Sequence, residues 1–176
     1  MVHDKQVKDV VSGWLTVFDD GSVDRTWTGP PEVKFMAEPV PPHDDFIDGV
    51  AVKDVVAGEN SGSRFRIYLP EPRVANAIIV SVFLPLAPEH RLPAACDVGF
   101  AGLLWLRDVS RKQGHEPWLN EYADFNRVFL IGDSSGGNIV HQVAARAGEE
   151  DLSPMRLAGA IPIIQASCGP SEVNRS

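Results

Sequence analysis

The stretch from Arg127 to Ala147 constrains this chain more than any other. Arg127 to Ile131 is a short β-branched and aromatic run, and Asn138 to Ala147 carries apolar residues at helical spacing. Between them, Gly132-Asp133-Ser134-Ser135-Gly136 fits the pattern G-x-S-x-G and is followed by Gly137. A serine forced onto a turn this tight leaves no room for β-carbons on either side, and its hydroxyl then projects above the end of the sheet. The helix that follows aims its free N–H groups and its positive end at the same point, where an oxyanion would develop. A nucleotide-binding turn is disfavoured, since neither G-x-G-x-x-G nor G-x-x-x-x-G-K-[ST] occurs.

The remaining segments extend this strand–turn–helix unit in both directions. Val11 to Phe18 and Val23 to Arg25 read as a hairpin around Asp19-Asp20-Gly21-Ser22. Thr28 to Pro42 is proline-rich and reads as an extended connection. Gly49 to Val56 and Phe65 to Leu69 read as strands flanking a Gly58–Gly62 turn. Ala77 to Phe83 is a continuous apolar run, the pattern of a strand buried on both faces of a parallel sheet. Ala94 to Lys112 then predicts a helix with Val98, Ala101, Leu104, Trp105 and Val109 on one face. A last apolar run spans Leu157 to Ile164, so that strand, helix, strand, helix and strand alternate as in a parallel α/β sheet.

Composition narrows the function. The 176 residues suffice for one domain with a core, and a net charge of −8 argues against nucleic acid or an anionic membrane as partner. No stretch is long and apolar enough to span a bilayer, and the first residues lack the apolar core of a secretory signal. Cys96 and Cys168 are too few and too distant for a disulfide framework or a zinc site. The expectation is a cytoplasmic or also nuclear protein with reduced thiols.

Four motifs stand in order along the chain: Ala87–Pro93 (Ala-Pro-Glu-His-Arg-Leu-Pro), Trp105-Leu106, Asp124–Val128 and Gly132–His141. Together they closely resemble the plant carboxylesterases of the hormone-sensitive-lipase branch of α/β-hydrolases, to which the gibberellin receptors are related. The block from Ser12 to Asp54 is similar to the N-terminal region of one esterase subgroup. The resemblance implies an α/β-hydrolase fold over residues 1–176, with an N-terminal lid-like segment (1–48), a sheet-and-helix core (49–164) and a divergent tail (165–176). It implies Ser134 as the catalytic nucleophile, the Ser135 N–H as an oxyanion donor, and Gly132, Asp133, Gly136 and Gly137 as the residues that shape the turn. Glu89, His90 and Arg91 match a segment whose role in the family is structural. The reaction so implied is hydrolysis of a small-molecule carboxylic ester, or binding of a hormone-like ligand, without cofactor or metal.

The chain departs from that pattern in ways that bear on activity. Relatives carry a strand ending in a His-Gly-Gly-Gly or Gln-Gly-Gly-Gly loop, then a helix, where Tyr68 to Ala75 here leads straight into the next strand. That loop supplies the remaining oxyanion donors. The absent strand belongs between Ala77–Phe83 and Arg127–Ile131, which must then pair directly or leave backbone groups unsatisfied. The triad order of the fold is serine, acid, histidine. The one histidine after Ser134 is His141, about 10 Å along the helix axis and unable to take the serine proton. Phe83-Leu84-Pro85 stands where many relatives have Asp-Tyr-Arg, although the esterase subgroup is similar to this chain there. The expectation is a truncated and internally deleted member of the family, impaired as an esterase. The alternative is a non-catalytic hormone-binding protein similar to the gibberellin receptors.

Overall fold

The computed structural model describes residues 5–57, 62–71 and 77–163. The 58–61 part of the expected turn, the 72–76 connection, Cys168 and the divergent tail lie outside the described residues. The chain divides into two compact units, Met1–Pro41 and Pro42–Ser176.

The first unit is a three-stranded antiparallel sheet of β1 (Val7–Val11), β2 (Leu15–Phe18) and β3 (Val23–Asp24). The hairpin expected between Val11 and Arg25 is β2–β3, with Thr16 opposite Asp24. The additional strand β1 was not legible, because Ser12-Gly13 turns the chain before Leu15. Trp14 meets Trp27 edge to face at 4.6 Å, and the Trp27 indole N–H donates to the Pro30 carbonyl. The connection expected to be extended contains a 3₁₀ helix, Pro31–Met36. It opens on a proline, whose missing N–H costs nothing at a helix start.

The second unit begins with β4 (His43–Ile47), β5 (Val50–Ala57), β6 (Ser63–Pro70) and β7 (Ile79–Val82), an antiparallel sheet in that spatial order. Strand β6 alternates strictly. Ser63, Phe65, Ile67 and Leu69 are buried, and the residues between them are not. Helix α1 (Ala94–Ser110) covers the buried face, with Trp105 stacked on Phe65 at 4.6 Å between ring centroids. A short helix α2 (Pro117–Tyr122) follows, then β8 (Val128–Gly132), α3 (Ser135–Ala147) and β9 (Leu157–Pro162). Strands β8 and β9 pair in parallel, Leu130 beside Ala160.

The alternating order of elements is therefore as the sequence predicts, but parallel pairing is confined to β8–β9. The Ala77–Phe83 run is corrected: its strand is antiparallel to β6, with Phe65 opposite Val82, and is half open, Ile79 being 60% exposed. Its apolar residues fit a strand covered on both faces and paired on both edges, and here one edge has no partner among the described residues. Strands β7 and β8 do not pair with each other. The α1 face also shifts: Phe100, Leu103 and Val109 are buried, while Leu104 and Trp105 are half-buried, because the helix packs against both the sheet and α3.

Glu116 is the buried charged side chain among the described residues of this unit, 3% exposed. One carboxylate oxygen accepts from the Leu119 N–H at 2.7 Å and caps α2, and the other faces Lys53 Nζ of β5. The Lys53 ammonium also lies 4.2 Å from the Trp118 ring centre. One side chain thus fastens α2 to the sheet. Glu116→Ala should cost about 2–4 kcal/mol, combining a lost cap with a lost partly buried pair. Lys34→Ala, in the exposed Lys34–Glu38 pair, should stay within about 0.5 kcal/mol. Denaturant midpoints check both.

Asp54 on β5 accepts two hydrogen bonds from the Arg66 guanidinium of β6, at 2.6 and 2.9 Å. These bonds hold the Asp54 carboxyl below its ordinary value against the opposing effect of partial burial, and the charges of Arg66 and Arg64 add to them. A carboxyl lowered on folding stabilises the protein above its unfolded pKa, and that stability is lost as pH falls through the folded value. Asp54→Asn should therefore flatten the fall in stability below about pH 4, as read by denaturation across pH.

Candidate active site

Strand β8 ends at Gly132, and Ser134 follows after one residue, immediately before the first turn of α3. Its backbone has φ 52° and ψ −116°, a conformation that costs a non-glycine residue about 1–3 kcal/mol. Short local bonds hold the turn: the Gly136 N–H donates to the Asp133 carbonyl at 2.7 Å and the Gly137 N–H to Ser134 at 3.0 Å. Behind it, the Ile163 N–H donates to the Gly132 carbonyl at 2.8 Å and ties the turn to β9.

The glycines do different work. A β-carbon at Gly132 would run into the Gly136 carbonyl and come within 2.8 Å of Val140 Cγ2. At Gly136 it would meet open space, so the crowding expected on both sides of the serine exists on one side only. Gly137 is buried at the base of the helix.

Ser134, Ser135 and Asp133 are exposed. Among the described residues, neither the Ser134 hydroxyl nor the Ser135 N–H has a hydrogen-bonding partner. The helix N-terminus thus offers a free donor beside a free hydroxyl, an arrangement suited to a tetrahedral oxyanion. His141 is exposed two turns along α3. His90 is exposed in the turn before α1, its N–H donating to the Leu86 carbonyl. Neither is hydrogen-bonded to the serine. No cluster of His, Cys, Asp and Glu among the described residues could hold a metal ion, and no helix there is long and apolar enough to cross a membrane.

Beneath the first turn of α3 a cavity of about 790 Å³ opens between β7 and β8. Gly136, Ile139 and Val140 line it from the helix, but Ser134 does not. The sequence predicts a missing strand at this place, with its two neighbours either pairing directly or leaving backbone groups unsatisfied, and in the structure the two do not pair.

A family model of the α/β hydrolase fold matches residues 72–174. The chain belongs to the α/β-hydrolase family, among the plant carboxylesterases. The probable carboxylesterase 4, mitochondrial, of Arabidopsis thaliana is 45% identical over 100 residues, 57% of this chain and 26% of that one. The 2-hydroxyisoflavanone dehydratase of Glycyrrhiza echinata is 31% identical over 200 aligned positions, covering 89% of this chain and 58% of its own. Since 89% of 176 residues is about 157, about 43 of those positions have no counterpart here. Among solved structures, an arylesterase aligns with a TM-score of 0.52 at 20% identity, over 82% of this chain and 54% of its own, a likeness of fold. The chain spans less than two thirds of the length of each of these relatives.

The asymmetry of the turn gives a test. Gly132→Ala should cost more than about 2 kcal/mol through overpacking against α3, whereas Gly136→Ala should be neutral or stabilise by up to about 1 kcal/mol. Ser134→Gly should raise stability by about 1 kcal/mol by removing the strained residue. Thermal and denaturant unfolding of the three variants would check the ranking.

Proposed function

We propose that this chain carries the nucleophile half of a serine carboxylesterase site, with Ser134 as nucleophile, the Ser135 N–H as one oxyanion donor, and Gly132, Asp133, Gly136 and Gly137 shaping the turn. The observation that carries the reading is the strained backbone of Ser134 at the strand-to-helix turn. Its free hydroxyl stands beside the positive end of a 13-residue helix. The substrate class is a small-molecule carboxylic ester, in keeping with the family. The serine oxygen would attack the ester carbonyl, and the acyl group would pass to water.

By this reading, the chain by itself is a poor esterase. With no base hydrogen-bonded to it, a serine hydroxyl is a weak nucleophile near neutral pH, and general-base assistance is worth about 10²–10⁴ in rate. A single missing oxyanion donor removes a further ~2.7–4 kcal/mol of transition-state stabilisation. Turnover of p-nitrophenyl butyrate should therefore match that of Ser134→Ala. A chimaera that restores the glycine-rich strand, loop and helix together with the C-terminal portion of a plant relative should gain Ser134-dependent turnover of about 10²-fold or more. Clear Ser134-dependent hydrolysis by the unmodified chain would overturn the impaired reading. A folded chimaera that bound a gibberellin-like acid and hydrolysed no ester would favour a hormone-binding role instead.

A further inference from the structure

The cavity between β7 and β8 is bordered by Ala77 to Val82 on one side and Arg127 to Ile131 on the other, each an unbroken run. A strand that turns a face to a cavity contributes every second residue, whereas one that contributes consecutive residues presents its edge. Both edges are open. Among the described residues β7 pairs only with β6, and β8 only with β9. The surrounding walls are apolar, with Phe65, Leu103, Leu106 and Val140 among them. A non-polar small molecule would satisfy those walls but leave two rows of backbone N–H and C=O groups without a hydrogen-bonding partner from the ligand.

We propose that this slot is a binding site for an extended peptide segment of another polypeptide, which enters as a strand hydrogen-bonded along both edges. Strand β7 has 4 residues and β8 has 5, which sets the length of the segment at about 4–6 residues. Its side chains are β-branched or otherwise apolar on both faces. Val80 and Leu130 pack toward the helices, while Ile79, Phe129 and Ile131 stand exposed on the opposite side of their strands. Its flanks are neutral or basic, complementing a chain of net charge −8. A second copy of this chain fits poorly. Every described strand is already paired along at least one edge, whereas the slot needs a strand free along both, and two chains of charge −8 repel.

The probe is a fluorescein-labelled peptide with a short run of valine and isoleucine between lysines. Two further versions are N-methylated at alternate residues, one blocking the donors of one strand edge and one those of the other. Fluorescence anisotropy with the full 176-residue chain should show saturable binding of the unmethylated peptide, and each methylated version should bind at least tenfold more weakly. Hydrogen exchange should slow at least tenfold at the slot-facing amides of both β7 and β8. Failure to bind would overturn the proposal. So would loss of affinity in only one methylated version, which indicates pairing at a single outer edge, or in neither, which indicates apolar adsorption. Protection confined to β4 or β9 would do the same. Slot amides already protected before the peptide is added would show residues 164–176 or a second copy in the slot, and would also overturn it.

Discussion

Helix α1 is the element that joins the two sheets of the second unit, and their arrangement depends on its packing. Toward the antiparallel sheet it supplies Trp105, stacked on Phe65, and Val109, buried with Ile67 and Leu119. Toward α3 and the parallel pair it supplies Phe100 and Leu103, buried with Val143, Ala147 and Met155. Leu106 packs against both clusters. No hydrogen bonds connect β7 to β8, so the two sheets are held by side-chain burial, at about 1.5–3 kcal/mol for each large apolar group. Burial is not directional. It can therefore hold two strand edges near each other without closing them, which hydrogen-bonded pairing could not do.

The turn at Ser134 draws on the same packing. Its unfavourable backbone persists because elements on both sides over-determine it. Helix α3 is fixed by the buried Val140, Val143 and Ala147, and β8 is fixed by its ladder with β9. Two or three buried apolar side chains offset a strain of about 1–3 kcal/mol. The exposed hydroxyl thus owes its position to residues that never approach it.

What was legible in the sequence follows from how local each signal is. The turn at 132–137, helix α3 and the strand at Phe65 to Leu69 are short-range patterns, and they fold as the residues suggest. Strand β4, with exposed Asp44, Asp45 and Phe46, carries no periodic signal and exists because β5 offers it an edge. Helix α2 is only 6 residues long and depends on the buried Glu116 cap, a tertiary feature that a sequence pattern does not reveal. The run from Ala77 to Phe83 misled for a different reason. Continuous apolar character reports the surroundings a strand is suited to, and the partner along one of its edges is not among the described residues. At the site, the position of Ser134 was readable from glycine spacing, but the unequal crowding of Gly132 and Gly136 required the path of the helix.

The two halves of this unit are unequal in self-sufficiency, and the serine lies in the weaker one. Strands β4 to β7 pair antiparallel with sequence neighbours, so most of their ladder closes through local connections. Strands β8 and β9 form a parallel pair that requires the whole of α3 as its crossover, and a two-stranded sheet is marginal by itself. Its stability is borrowed from α1 through Phe100 and Leu103 and from α3 through Val143. Ile139 and Val140 extend that coupling, since both line the cavity beside β8 while standing within two turns of Ser134. The turn and the slot thus share one face of α3, although Ser134 itself does not line the slot.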